Sequence, residues 1–325
     1  MTSDPGAGPA HRAALWRALA AVTPGMRPCF LAVEDGAGLA GGMPVLLEAR
    51  AGFHWLHALP HLLSGAPLAR AGRHAAVDAA AAAALGALQR ELRAVGGEWT
   101  VRRPEGPPIA AEALESVAGE TRWSESATVD LVDGLGAAWS RVHRKTRQDL
   151  RQARSRVVCA EEPGALDEAY ALHAAQSRAW AGHRPLPLGL SQRLLEDGGD
   201  GLGPVARLFT ARRDGALLCA TLALDHPREV MPWWSGADPD ARRLHAFPLL
   251  LWWVIEWAHG SGRARVNLGG SAGSGPVAAF KDSLGAASGR HPVRWRDASA
   301  ATLPGRALAA LQRRLRSRRP RGEAA

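Results

Sequence analysis

The chain has 325 residues, 46% of them hydrophobic and 22% charged, and a formal net charge of +9. That length and composition support a globular protein with a sizeable core and room for two domains. Its three cysteines, Cys29, Cys159 and Cys219, lie far apart without a CxxC spacing, which excludes a disulfide framework and a structural zinc site.

The predicted elements state one pattern twice. In the first half, residues 30–33 and 43–47 flank the turn Asp35-Gly36 and read as strand, turn, strand. The alanine-rich stretch 75–95 is a strong helix former that Gly96-Gly97 should stop, and residues 99–101 read as the next strand. Residues 135–156 read as one long helix, because Trp139, Val142, Leu150, Ala153 and Val157 recur at helical spacings and make a single apolar stripe. In the second half, residues 205–211 and 217–224 flank Asp214-Gly215, and residues 230–234 add a strand. A helix over 247–259 then ends at Gly260-Ser261-Gly262 and feeds a strand at 265–268. Hairpin, connector, glycine-stopped helix and strand thus recur in the same order, which predicts an α/β (α+β) chain of two mixed β-sheets flanked by helices. The expected divisions are 14–134, a connecting basic helix 135–157, a second domain 158–297 and a basic tail 298–325.

Residues 1–12 lack a basic run followed by an apolar core, so no signal peptide is expected. The longest apolar run, near 247–258, falls short of the roughly 20 residues that span a bilayer. A cytoplasmic protein is the expectation. The positive charge gathers in 141–156 and in the tail residues Arg313, Arg314, Arg316, Arg318, Arg319 and Arg321, and such surfaces attract phosphates on nucleic acid, lipid headgroups or nucleotide-linked substrates. Weak peripheral membrane contact through the tail is one reading; a solvated terminus is the other.

Only two of the 40 basic residues are lysines, Lys145 and Lys281. A slim ammonium serves where a point charge enters a narrow cleft, so each lysine marks a segment of interest. The first is Arg144-Lys145-Thr146-Arg147 running on to Arg154, which reads either as a solvated face or as a helix that holds phosphate; no aromatic follows Trp139 and no helix-turn-helix surrounds it. The second is Asn267-Leu268-Gly269-Gly270-Ser271 leading to Phe280-Lys281. It matches neither GxGxxG nor the phosphate-loop pattern, yet its glycines let backbone approach a ligand, and a lysine at the start of a short helix past them can meet a developing oxyanion. The third is Trp233-Trp234-Ser235-Gly236 followed by Arg242-Arg243 and His245, with the tryptophans as core or ligand platform and His245 as cap or base. No GxSxG elbow, HExxH or close carboxylate pair marks a hydrolase, and no metal site is expected.

Taken together, the basic helix, the Asp214-Gly215 hairpin, Trp234-Ser235-Gly236, Asn267-Leu268-Gly269-Gly270-Ser271 and Phe280-Lys281 resemble the acetyltransferase-like family related to the Fem peptidyltransferases. The resemblance covers residues 140–296 and extends to the first half through its repeat pattern. It implies tandem GNAT-like domains, the first degenerate, and transfer of an acyl or aminoacyl group to an amine, in cell-envelope or polysaccharide metabolism. It implies Lys281 as the group that stabilises the transition state and the backbone at Phe280 as an acceptor of the amine's proton. Binding of substrate or phosphate falls to Lys145, Arg144, Arg147, Trp234, Arg243, Gly269, Gly270 and Ser271. The donor it implies is acyl-CoA or aminoacyl-tRNA, with no permanently bound cofactor, and the acceptor is a small-molecule or nucleotide-linked amine. The stretch 242–248 departs from the pattern: it lacks the glycines of the pyrophosphate-holding turn of acetyl-CoA enzymes. The alternative is a noncatalytic nucleotide- or nucleic-acid-binding protein on the same scaffold.

Overall fold

The computed structural model describes residues 4–50, 52–59, 63–178, 185–196 and 198–296, so the six tail arginines lie outside the described residues. The elements begin with α1 (Ala13–Val22), β1 (Met26–Asp35), β2 (Gly38–Arg50), β3 (Phe53–Ala58), β4 (Leu68–Ala69), α2 (His74–Glu91), β5 (Gly96–Thr100), α3 (Ala111–Glu115) and β6 (Glu120–Asp130). Next come α4 (Gly134–Arg141), α5 (Arg144–Arg154), β7 (Val158–Glu161), α6 (Leu166–Ser177), α7 (Leu188–Leu195), β8 (Ala206–Arg213) and β9 (Ala216–Asp225). The last are β10 (Glu229–Ala237), α8 (Asp240–Arg243), α9 (Ala246–Gly260), β11 (Arg265–Asn267), α10 (Gly275–Ser283) and β12 (Ala287–Arg296). They form two compact units, one of Met1–Pro24 with Ser124–His291 and one of Gly25–Trp123 with Pro292–Ala325, divided within β6 and β12.

In the unit holding Gly25–Trp123, the strand order is β1-β2-β3-β5-β12, with β4 added to β2. β1 and β2 form the expected antiparallel hairpin, β3 runs parallel to β5, and α2 covers β1 and β2. The expectation for the end of α2 needs correction. The helix stops before the glycines, at Arg93, whose φ of 47° lets Ala94 N–H donate to Gln89 O at 2.9 Å. Gly96 and Gly97 instead open β5, because a Cβ on Gly96 would lie 2.7 Å from the Trp55 ring of the neighbouring strand.

In the other unit the strands run β12-β6-β11-β10-β9-β8-β7. β7 to β10 are antiparallel, and Asp214-Gly215 turns β8 into β9 with φ of 50° and 82°, the left-handed pair a two-residue hairpin demands. The nearly all-apolar α9 packs across β8 and β9, with Phe209 edge-on to Trp253 at 5.5 Å. The single helix expected over 135–156 is broken. Val142 leaves helical geometry at ψ 134° so that His143 N–H can donate to Ser283 O at 3.0 Å, giving separate α4 and α5. The apolar stripe survives the break, since Val142, Leu150, Ala153 and Val157 are all buried in one core cluster. The mixed β-sheets flanked by helices agree with the predicted fold class.

The segment before α1 is pinned by buried charge. Arg12 forks onto Asp200 and donates to the carbonyls of Gly203, Pro204 and Asp225, while Arg265 pairs with Glu229 at 2.7 Å and donates to the carbonyls of Pro5 and Ala7. His226 lies among these groups, and burial, followed by the nearby His11, pushes its pKa down from 6.5 to about 4. Its Nδ1 accepts from Arg228 N–H at 3.1 Å, so the ring is held neutral. Because the folded value is depressed, this contribution to stability is present above about pH 6.5 and is lost as pH falls through about 4, a change of up to about 3 kcal/mol. Urea unfolding followed from pH 7 to 4 should therefore show a steeper loss of stability in the parent protein than in His226→Gln.

Candidate active site

β10 and β11 are parallel, yet they pair only at Glu229↔Arg265 and Val230↔Val266. β10 continues to Ala237 while β11 stops at Asn267, so the pairing of the two strands ends at Val230, toward the carboxyl end of β11. Such strand ends are where open α/β sheets take ligands. β10 is also bulged there: its register with β9 shifts between Pro232 and Trp234, which makes Trp233 the extra residue.

The loop after β11 forms one wall. Asn267 joins it to the sheet, donating to Glu229 Oε1 at 3.2 Å and accepting Gly269 N–H at 2.9 Å. Gly269 has a φ of 72° and lies beside Met231 of β10, and a Cβ on Gly270 would stand 2.7 Å from the Glu125 carbonyl of β6. Both positions therefore require glycine. Lys281 closes the loop, its Nζ donating to Gly269 O at 2.9 Å and to Gly270 O at 2.7 Å. The residue is only 7% exposed, and burial lowers the pKa of its ammonium, against which the Glu125 carboxylate acts. An ammonium has three N–H groups. Two are spent on the loop, and among the described residues the third has no acceptor.

Lys281 lies in the last turn of α10 rather than at the start of a helix, as the sequence had suggested, because Gly275 and Pro276 begin the helix earlier. Phe280 stacks on Phe247 in the first turn of α9, with ring centroids 6.1 Å apart, and the Phe280 carbonyl already accepts the Ser283 hydroxyl at 2.7 Å. The structure thus brings together Gly269, Gly270 and Lys281, with Ser271 and Phe280 adjoining them in the chain.

The other predicted residues sit apart from that knot. His143 meets Asp282 at 3.2 Å, so the first turn of α5 adjoins the end of α10. There Lys145 is 83% exposed and pairs with Asp149 at 3.0 Å, Arg144 is exposed, and His245 stands 3.9 Å from the same carboxylate. Arg147 points back to the carbonyls of Trp139 and Ser140 at 3.3 and 3.2 Å. Arg243 is exposed and paired with Asp240. Trp234 is a core residue: its indole N–H donates to Ser191 Oγ at 3.2 Å and its ring stacks on His173 at 4.8 Å. His245 caps α9 in left-handed geometry, φ 50°. The first turn behind it is poor in donors, since Pro248 has no N–H and that of Leu249 is bonded to His245 O.

Glu125 and Asp149 were missed at the level of sequence. Glu125 acts from a strand about 150 residues before Lys281 and belongs to no motif. Among the described residues no group of His, Cys, Asp and Glu could hold a metal, and no helix is long and apolar enough to cross a membrane.

Comparison with known proteins bears on the fold that carries this site. The family model described as an acetyltransferase (GNAT) domain matches residues 139–282. No curated protein sequence matches the chain. Among solved structures, FemX is similar with a TM-score of 0.67 at 11% identity, over 90% of this chain and 93% of that one. The C-terminal domain of a putative lysylphosphatidylglycerol synthetase from Agrobacterium fabrum follows with a TM-score of 0.54 at 13% identity, over 91% of each chain. A tandem GNAT protein from the clavulanic acid biosynthesis pathway has a TM-score of 0.51 at 16% identity, over 87% of this chain and 86% of that one. At such identities the likeness speaks for the fold, whereas the family match reaches from α4 through Lys281: residues 139–282 match the GNAT acetyltransferase domain, and the chain as a whole has a FemX-like fold.

Proposed function

We propose that the protein is an N-acyltransferase that moves an acyl or aminoacyl group from an activated donor to a small-molecule or nucleotide-linked amine. The observation that carries this reading is the uncommitted third N–H of Lys281, held on a buried loop just past the carboxyl end of β11. The amine nitrogen attacks the donor carbonyl, a C–N bond forms, and charge builds on the oxygen. A fixed ammonium stabilises that charge without having to reorganise. The bond to the leaving thiol or ribose oxygen then breaks, and the amine's proton departs with the leaving group or through water. Lys281 is the catalytic residue of this scheme, and the Gly269-Gly270-Ser271 loop shapes the wall against which the donor lies. The Phe280 carbonyl, which already accepts the Ser283 hydroxyl, has one lone pair left for the role the family resemblance implies.

The donor we favour is aminoacyl-tRNA. The sparse N–H groups at the start of α9 make a poor pyrophosphate cradle, whereas Arg144 and Lys145 present exposed cations near the end of α10. The likeness to a domain of a lysylphosphatidylglycerol synthetase, a protein named for an aminoacylated product, supports the same choice. Native mass spectrometry after incubation with acyl-CoAs, and separately with charged tRNA, tests it. The expected result is a tRNA complex that weakens by about a hundredfold or more between about 50 and 200 mM salt, with no coenzyme A retained. Retained coenzyme A would assign a thioester donor, and retention of neither would overturn the transferase reading in favour of a noncatalytic binding protein.

A further inference from the structure

A cavity of about 420 Å³ opens between α4, α5 and α9, and none of its lining residues belongs to the Lys281 site. Its floor is an indole pair, Trp139 and Trp252, with ring centroids 4.8 Å apart and planes tilted by 57°. Trp252 is part of the buried core and Trp139 packs against it, so the floor is set by tertiary packing. Leu135 and Gly136 of α4 form the wall.

The charges at this cavity do not balance. Glu256 Oε1 accepts the Trp252 indole N–H at 2.6 Å and pairs with Arg154, which satisfies that carboxylate. Arg151 has no such partner among the described residues; its guanidinium stands 5.8 Å from the Trp139 ring centre and makes only that cation–π contact. Two guanidinium groups therefore face one carboxylate beside an apolar floor, and the volume is in the range of small-molecule sites.

Each alternative class of occupant fits less well. An apolar molecule would bury the indoles and leave Arg151 without an acceptor, and a cationic one would meet a net positive rim. The residues after 296 are rich in arginine, so their charge is wrong as well. A flat ring that carries an anion stacks on the indoles and supplies the planar acceptor a guanidinium forks onto. We propose that this cavity is a binding site for a small aromatic carboxylate, its ring on Trp139 and Trp252 and its carboxylate on Arg151. Its test reads binding, so it stands or falls separately from the acyl-transfer reading.

The probe is 2-naphthoate, titrated into the full chain by tryptophan fluorescence and ligand-observed NMR, with 2-naphthylmethylamine as the cationic counterpart. Two variants separate the site from general stickiness. Arg151→Gln removes the anion partner, and Gly136→Leu fills the void at a position where an added Cβ meets nothing within 4 Å. Saturable naphthoate binding is expected to weaken by about tenfold in each variant, with the melting temperature unchanged or higher for Gly136→Leu, and the amine should bind at least about tenfold less tightly. Equal binding of the acid and the amine, or naphthoate binding untouched by both variants, would overturn the proposal.

Discussion

Replacing Lys281 with methionine should lower the rate of acyl transfer by about a hundredfold or more, with KM changed far less, because a donor aimed at developing charge acts in the transition state rather than on bound substrate. Lys281→Arg should be nearly as damaging. The broader guanidinium does not fit where an ammonium at 7% exposure reaches two successive carbonyls of one loop. The methionine variant also leaves those carbonyls without a donor, a stability cost of about 2 kcal/mol that a thermal melt separates from the kinetic loss. Full activity in both variants would remove Lys281 from the mechanism. The pH dependence follows from the direction of the lysine's shift. Burial lowers its pKa below the ordinary 10.5, so the charged form, and with it the rate, should fall on an alkaline limb that begins below that value. Stability moves the opposite way: the penalty for burying the ammonium is present at neutral pH and is relieved as pH rises through the folded value towards the unfolded one.

The second large effect should come from Arg265→Met. Arg265 and Glu229 have side chains 5% and 4% exposed, and removing one partner strands the other's charge in the core, at a cost of about 3–5 kcal/mol. An apparent melting temperature lower by roughly 10 °C is the expected reading. The double variant Arg265→Met with Glu229→Met should recover much of that loss, since neither charge is then buried alone. No recovery would mean that the arginine acts chiefly through the carbonyls of Pro5 and Ala7. Limited proteolysis before α1 distinguishes the two, because only the second role predicts early cleavage there.

Local chemistry explains which parts of the fold were legible. Asp214-Gly215 announced its hairpin because a tight turn needs residues that tolerate positive φ, Asp35-Gly36 marked the other hairpin although the positive φ there falls on Gly38, and α9 announced itself by an apolar run ended by Gly260-Ser261-Gly262. The failures were places where a distant partner outvoted a local signal. Gly96 and Gly97 looked like a helix stop but were required by the Trp55 ring and the Leu56 carbonyl of the adjacent strand. The unbroken periodicity of 135–156 hid the break at Val142, which exists so that His143 can reach Ser283.

The same division holds for the site. Sequence by itself determined the fold class, the two hairpins and the segments that hold Gly269, Gly270, Ser271, Phe280 and Lys281, because turn chemistry, periodicity and the rarity of lysine are properties of short stretches of chain. Only the tertiary structure decided that Lys281 spends two N–H groups on the glycine loop, that Trp234 is core, that Lys145 faces solvent, and that Glu125 stands near the ammonium. Those outcomes depend on hydrogen-bond geometry and burial among groups on β6, β10, α5 and α10, and such groups meet only when the strands pair and the helices pack.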